Sequence, residues 1–221
     1  MSALIRPERP ADAGPIRAVT KAAFATAPHA AGTEAEIIEG LRVAGALALS
    51  LVAEEGGEVI GHVAFSPVTI GGAAGWFGLG PVSVRPDRQR AGIGRALIGA
   101  GLARLRAWGA AGCVLVGDPD YYRRFGFASD PGVSYPGVPG EYVLRLVLAG
   151  PPARGAAVFH PAFGAGGGGL KSALRRGPRA DGGRHPSIAS SSSIIEAMRP
   201  RPLSQNFGSL ASRPKGARSS L

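Results

Sequence analysis

The segment 75–116 constrains the fold more than any other part of the sequence. Its apolar spacing predicts a strand over 75–85, a turn rich in glycine and arginine over 88–94, an amphipathic helix over 93–108 and a short apolar strand over 113–116. Two strands joined by a helix lie parallel in one sheet, because a crossover connection returns the chain to the same end. The chain is therefore expected to contain a βαβ unit.

The remaining patterns place this unit in a larger sheet. They predict a strand at 3–6, helices at 10–24 and 33–41, a hairpin of strands 49–53 and 59–70, a short helix over 118–125, strand material near Phe127 and a last strand over 141–148. Thr33 followed by Glu36 has the spacing of a capping box at the second helix. The order predicts an α/β fold with a mixed sheet.

The charge distribution divides the chain into two parts. Residues 1–164 carry 15 Lys/Arg and 13 Asp/Glu, whereas residues 165–221 carry 10 basic and 2 acidic residues. The second part is rich in Gly, Ser, Pro and Arg, so it buries too little apolar surface to offset its ordering entropy. We expect a folded domain over 1–164 and a disordered basic tail over 165–221. Nucleic-acid binding through this tail is a weaker interpretation, because its arginines have no interleaved aromatic residues.

Several classes of protein are disfavoured by composition. One cysteine, Cys113, excludes an internal disulfide framework, and its apolar neighbours indicate a buried thiol. Neither a membrane span nor a secretory signal is expected, since the apolar runs are short and the first ten residues are charged. The spacing of His29, His62 and His160 suits no metal site. We therefore expect a cytoplasmic protein without a metal.

The turn before the helix has the features of an anion site. The first amides of a helix lack intrahelical acceptors, and the helix dipole adds partial positive charge there. Gly92 and Gly94 remove side chains where a phosphate must approach the backbone, and Arg88, Arg90 and Arg95 add positive charge. These residues favour a ligand that carries phosphate groups.

Three other interpretations of the turn are possible. A P-loop requires Lys and Ser or Thr after its last glycine, whereas Arg95 and Ala96 follow Gly94. A dinucleotide fingerprint requires a third glycine where Leu97 stands, and it belongs to the first βαβ unit of a parallel sheet. A simple helix start with no ligand remains the third possibility.

Gln89-x-x-Gly92-x-Gly94 at a strand-to-helix junction resembles the acetyl-CoA signature of the GNAT N-acetyltransferases. The segment Tyr122-x-x-x-Gly126-Phe127 also resembles a motif of that family, and the stretches 78–84, 117–127, 135–142 and 159–163 resemble one bacterial subgroup of it. The similarity covers about residues 3–164. It implies the GNAT fold, with a mostly antiparallel sheet that is splayed between strands 75–85 and 113–116 and flanked by helices.

The resemblance implies a site for acetyl-CoA as co-substrate. Its pantetheine arm would pair with strand 75–85, and its pyrophosphate would bind the amides of the turn. The implied cofactor-binding residues are Val82, Ser83, Val84, Gln89, Arg90, Ala91, Gly92, Ile93, Gly94 and Arg95. Gly80 and Pro81 are the expected point of the splay, although Pro81 is equally explained as a proline in an edge strand.

The resemblance also implies the reaction, which is direct attack of a primary amine on acetyl-CoA in a ternary complex. Tyr122 matches the family tyrosine that protonates the leaving thiolate, whereas Tyr121 is interpreted as a packing residue. The general base is left open among Glu34, Glu141, Asp118 and a bound water, although Asp118 also suits a helix cap. The acceptor is a small-molecule or peptide amine, and the alternative is a non-catalytic protein that binds CoA or peptide.

Overall fold

The computed structural model describes residues 3–25 and 32–164, and the predicted tail at 165–221 lies outside them. The strands are β1 (Leu4–Pro7), β2 (Leu49–Glu55), β3 (Glu58–Ile70), β4 (Ala73–Val84), β5 (Gly112–Val116), β6 (Ala128–Ser129), β7 (Val133–Ser134), β8 (Val143–Val147) and β9 (Gly155–Val158). The α-helices are α1 (Ala13–Phe24), α2 (Glu34–Val43), α3 (Ile93–Ala107) and α4 (Pro119–Tyr122). Short 3-10 turns extend or connect several of these elements.

The strands form one mixed sheet in the order β1-β2-β3-β4-β5-β8-β6. β4 and β5 are parallel and are joined by α3, which confirms the βαβ unit. The other neighbours in this order pair antiparallel. The predicted fold class is thus confirmed.

The prediction of β8 as the last strand is wrong, because β9 follows it and pairs with the end of β3 and with β7. β9 has the sequence Gly-Ala-Ala-Val, in which only Ala157 is buried. Such a short segment of small residues lacks the alternation of large apolar side chains that identifies a strand. Its position is decided by pairing at Thr69 and Ile70, which are distant in sequence.

The helices cover opposite faces of the sheet. Neighbouring residues of a strand point to opposite faces, and Leu51 and Val52 belong to two different core clusters. Leu51 packs in the cluster that contains the apolar side of α3, and Val52 packs with α1 and α2. α3 lies very close to the sheet, because a Cβ on Gly101 would be 2.1 Å from Cε2 of Phe65.

Two local predictions have different outcomes. The capping box at α2 is wrong: Thr33 occupies the N-cap position without a side-chain hydrogen bond, and Glu36 forms ion pairs with Arg17 and Lys21. Partners on α1 therefore compete successfully for the carboxylate that would have completed the box. The buried thiol is confirmed, because Cys113 is fully buried and its desolvation raises the thiol pKa.

Candidate functional site

The sheet opens between β4 and β5. Their pairing ends at Gly78 and Val114, although β4 continues to Val84 and β5 continues to Val116. Beyond this point β4 stays paired with β3, and β5 stays paired with β8. The described residues thus form a gap that widens toward the turn after β4.

A β-bulge lies where the opening begins. Val63 pairs with Val82 and Phe65 pairs with Leu79, so two residues of β4, Gly80 and Pro81, face the single residue between them on β3. Pro81 lies beyond the last β4–β5 pair, at Gly78 and Val114, so β3 is the neighbour with which β4 pairs at this position. Its interpretation as a proline at a strand edge and its place at the splay are therefore both compatible with the structure. The bulge accommodates a residue that has no amide hydrogen to donate.

Backbone groups of β4 face the gap. The amide of Arg85 donates to the carbonyl of Ile60 on β3 at 2.9 Å, and the direction of these groups alternates along a strand. The amides and carbonyls of Val82 and Val84 therefore point away from β3. The side-chain amide of Gln89 donates to the Val84 carbonyl at 3.1 Å, which is consistent with this direction.

Ser83 faces elsewhere. It pairs with His62 on β3, and its buried hydroxyl lies 3.1 Å from Oγ1 of Thr20 on α1. Neither its backbone nor its side chain is directed at the gap. The residue instead connects β4 to α1 and so holds its two valine neighbours in register.

The turn presents backbone amides to open space. Arg90 and Gly92 have left-handed backbone conformations, with φ of 64° and 82°. Ala96 donates to the carbonyl of Gly92 in the first turn of α3, so the amides of residues 93–95 have no acceptor within the helix. A Cβ built on Gly92 would meet no atom within 4 Å. The space over this glycine can therefore admit a phosphate.

The arginines around the turn differ in their partners. Arg88, which was expected to add charge, is bound by Glu55 at 2.7 Å and lies 3.5 Å from a carboxylate oxygen of Asp87. Its charge is thus compensated. Arg90 and Arg95 are exposed and form no ion pair with a described residue. Their positive charge is therefore not compensated by these residues and lies next to the free amides of the turn.

Tyr122 lies beyond the end of β5, where the gap is bounded by that strand. Its side chain is 1% exposed, and its ring packs edge-on against Tyr121 and Phe127. A Cβ on Gly117 would lie 2.6 Å from Cε2 of Tyr122, so only glycine lets the ring approach this backbone. The ring is therefore held in place by tight packing beside the end of β5, which borders the gap.

The three carboxylates considered as bases occupy different environments. Asp118 caps α4, because its Oδ1 accepts the amide of Asp120 at 2.8 Å. Glu141 is exposed in a 3-10 turn before β8. Glu34 begins α2 and is 2% exposed, so its side chain is buried.

His62 is a fully buried residue of β3. Its Nε2 lies 2.8 Å from Oγ of Ser50, while its Nδ1 has no partner among the described residues. Nε2 also lies 3.9 Å from a carboxylate oxygen of Glu8, which favours the protonated ring. Burial has the larger effect and lowers the pKa of His62 to about 4, so the ring is neutral.

A neutral buried histidine makes the stability depend on pH. The unfolded chain binds a proton at His62 near pH 6.5, whereas the folded chain does so near pH 4. Stability is therefore full above pH 6.5 and is lost as the pH falls toward 4, by about 3 kcal/mol at 1.36 kcal/mol per pKa unit. Urea denaturation at pH 7 and pH 4.5 measures this loss. The variant His62→Gln should lose less stability over that interval, and an equal loss in both proteins would contradict the expectation.

Within 3–25 and 32–164, no group of three or more His, Cys, Asp or Glu side chains is arranged to hold a metal ion. No helix in this part of the chain has the length and apolar character needed to cross a bilayer.

The chain is similar to known acetyltransferases. The family model for an acetyltransferase (GNAT) domain matches residues 47–129. The curated protein named "Uncharacterized N-acetyltransferase YhbS" of Escherichia coli K12 is 41% identical over 126 residues, which cover 56% of this chain and 72% of that protein.

Two solved structures are similar over most of their length. A GNAT family acetyltransferase from Brucella melitensis, in complex with acetyl-CoA, is 52% identical with a TM-score of 0.66 and covers 73% of this chain and 97% of its own. YhbS from Escherichia coli, in complex with CoA, is 35% identical with a TM-score of 0.68 and covers 74% of this chain and 93% of its own.

Proposed function

The chain belongs to the GNAT acetyltransferase family, and we propose that it transfers an acetyl group from acetyl-CoA to a primary amine. The observation that carries this proposal is the opening of the sheet after Gly78 and Val114, immediately before a turn with free helix amides. Relatives bound to acetyl-CoA and CoA support the choice of co-substrate.

Binding would use two parts of the site. The pantetheine arm carries amide groups, and Val82 and Val84 would pair with them as a neighbouring strand does. The turn from Gln89 to Arg95, including Ala91 and Ile93, would bind the pyrophosphate through its amides, since charge-assisted hydrogen bonds are the stronger kind. Ser83 would act indirectly by fixing the register of β4 through Thr20.

The reaction would proceed by direct attack within the ternary complex. The amine nitrogen bonds to the thioester carbonyl carbon and the carbon–sulfur bond breaks. An amide of β4 near Val82 stabilises the oxyanion, and Tyr122 gives its hydroxyl proton to the leaving sulfur. After the carbon–nitrogen bond forms, the nitrogen loses a proton, which replaces through solvent the proton that Tyr122 gives to sulfur. The proton that the ammonium loses before the attack goes to the base, so each turnover of a protonated amine releases one proton.

The amine must lose a proton before it attacks, because an alkylamine has a pKa of about 10.4. Asp118 is engaged as a helix cap and Glu141 lies at the surface, so Glu34 or a water bound near it is our choice for the base. A lower kcat for Glu34→Gln with a shifted acidic limb of the pH profile would support this assignment.

A panel of acceptors tests the activity. Polyamines, amino acids, aminoacyl amides and peptides with free N-termini are incubated with acetyl-CoA while free thiol is measured. Acetylated product shows that the acetyl group is transferred. In double-reciprocal plots of initial velocity, intersecting lines support a ternary complex, whereas parallel lines indicate a covalent acetyl-enzyme. Binding of CoA without thiol release for any acceptor would favour the non-catalytic alternative.

We place the transferase domain at residues 1–164. The last described turn, Pro161–Phe163, packs on α2, where the Cβ of Ala162 would lie 3.0 Å from a Cβ on Gly40. A chain that ends after Gly164 should therefore keep the CoA affinity and turnover of the full chain. Loss of either activity in the shortened chain would contradict this boundary.

Gly92→Ala is expected to weaken CoA binding about tenfold or more. The new methyl group would fill the space over the turn, and each lost hydrogen bond to a charged phosphate is worth about 1.5–3 kcal/mol. Titration calorimetry with CoA measures the effect.

The matched control is Gly109→Ala at the opposite end of α3. Gly109 has a φ of 72° and open space at its Cβ, so it carries a similar backbone strain of roughly 1–2 kcal/mol. Equal affinities of the two variants for CoA would argue against phosphate binding at the turn.

A further inference from the structure

Tyr121 reaches from α4 to the first turn of α3. Its hydroxyl oxygen lies 3.4 Å from the position that a Cβ on Gly94 would occupy, and Cγ2 of Val84 lies 3.7 Å from the same point. The phenol is thus located beside the end of β4 and the turn that follows it. Tyr121 thus brings a side chain of α4 next to the turn whose amides have no acceptor within the helix.

Arg124 is held on the same ring. Its guanidinium carbon is 4.6 Å from the ring centroid of Tyr121, which is the geometry of a cation–π contact. The two residues are three positions apart in a helical segment, so they share one face of it.

The charge of Arg124 is not compensated within the described part of the chain. No ion pair connects Arg124 to a carboxylate among residues 3–25 and 32–164, whereas Arg88 is bound by Glu55 and Arg123 by Asp120. The side chain is also exposed. A cation that lies on an aromatic ring beside a phosphate turn is available to an anionic ligand.

We propose that Tyr121 and Arg124 form a second wall of the phosphate site, in which the hydroxyl donates to a phosphate oxygen and the guanidinium supplies charge. This inference rests on the proposed function and adds binding residues on α4 and the 3-10 turn after it, which the turn signature does not contain. Burial raises the pKa of Tyr121, so its hydroxyl keeps the proton that it donates at neutral pH. The ligand group is either the pyrophosphate or the 3′-phosphate of CoA.

The test measures CoA affinity of the full chain and three variants by titration calorimetry. Arg124→Gln and Tyr121→Phe should each raise the Kd for CoA about threefold to tenfold. This is less than the full value of a hydrogen bond to a charged group, because solvent screens the interaction at an exposed site. Arg123→Gln removes a neighbouring exposed cation and should change the Kd less than about twofold. In steady-state assays Tyr121→Phe should raise the KM for acetyl-CoA without lowering kcat.

Dephospho-CoA, which lacks the 3′-phosphate, identifies the group that is bound. If Arg124→Gln raises the Kd for dephospho-CoA as much as the Kd for CoA, Tyr121 and Arg124 bind the pyrophosphate. If Arg124→Gln raises only the Kd for CoA, they bind the 3′-phosphate. Equal effects of Arg123→Gln and Arg124→Gln, or unchanged affinity in both Tyr121→Phe and Arg124→Gln, would overturn this inference alone. A wild-type chain with no affinity for CoA would overturn the proposed function as well.

Discussion

Replacing Tyr122 with phenylalanine is expected to lower kcat for acetyl transfer by about 10²- to 10⁴-fold, the usual contribution of a general acid. A thiol has a pKa of about 8.5, so the thiolate leaves poorly unless a proton reaches the sulfur. Phenylalanine keeps the ring that packs over Gly117 and against Phe127 and removes the hydroxyl. The affinity for CoA should therefore stay within about twofold.

Free-thiol release with a productive acceptor measures this effect, and calorimetry with CoA measures the affinity. Tyr121→Phe is the matched control, because it removes the neighbouring hydroxyl and should change KM instead of kcat. Thermal unfolding of both variants shows whether the buried ring of Tyr122 is still packed. Unchanged turnover in Tyr122→Phe would refute its role as the acid.

Replacing Asp12 with asparagine is expected to destabilise the fold by about 3–5 kcal/mol, the typical result of breaking a buried ion pair. Asp12 accepts two hydrogen bonds from the guanidinium of Arg6, at 2.6 and 3.0 Å, and one from the amide of Arg9 at 2.6 Å. Arg6 and Asp12 are both buried. The two hydrogen bonds from Arg6 connect β1 to the start of α1. Without the carboxylate, the buried guanidinium of Arg6 keeps its hydrogen bonds to Glu54 at 2.7 Å and to the carbonyl of Pro7 at 3.0 Å but loses both bonds to Asp12.

The ion pair of Arg6 and Asp12 also makes the stability of the fold depend on pH. The guanidinium of Arg6 lowers the pKa of Asp12 in the folded state. Its contribution is therefore complete above the unfolded value of about 3.9 and is lost as the pH falls through the lower folded value. Asp12→Asn should flatten the acid limb of stability below pH 4.

Urea denaturation of Asp12→Asn at pH 7 provides the measurement. The control Arg17→Gln breaks an exposed pair with Glu36, whose side chains are 42% and 47% exposed, and should cost less than about 1 kcal/mol. The double variant Arg6→Met/Asp12→Leu should recover part of the loss, since apolar residues avoid the desolvation of two charges. A loss in Asp12→Asn as small as in the control would contradict this account.

The central part of the fold follows from local sequence patterns. The period of apolar residues from Ile93 to Leu105 identifies α3, and the apolar run at Cys113 identifies β5. The crossover rule then makes β4 and β5 parallel. The free amides of the turn also follow from the sequence, because a helix that begins after Gly92 leaves them without acceptors.

Distant contacts decided the features that the sequence left open or that were predicted wrongly. The capping box at Thr33 is absent because Glu36 pairs with α1, and the charge of Arg88 is compensated because the hairpin brings Glu55 to it. The pair of Tyr121 and Arg124 at the turn depends on how α4 lies against α3. The pairs Arg17–Glu36 and Glu55–Arg88 join residues 19 and 33 positions apart, separations over which local periodicity carries no information.

The sequence by itself determined the turn at Gln89–Gly94, the helix that follows it and the parallel strands around them, since these depend on neighbouring residues and on chain connectivity. Only the tertiary structure decided that the pairing of β4 and β5 ends at Gly78 and Val114, just before the splay expected at Gly80 and Pro81. Beyond these residues β4 pairs with β3 and β5 pairs with β8. Competition between pairing partners is a property of the folded sheet, and a single strand sequence does not encode it.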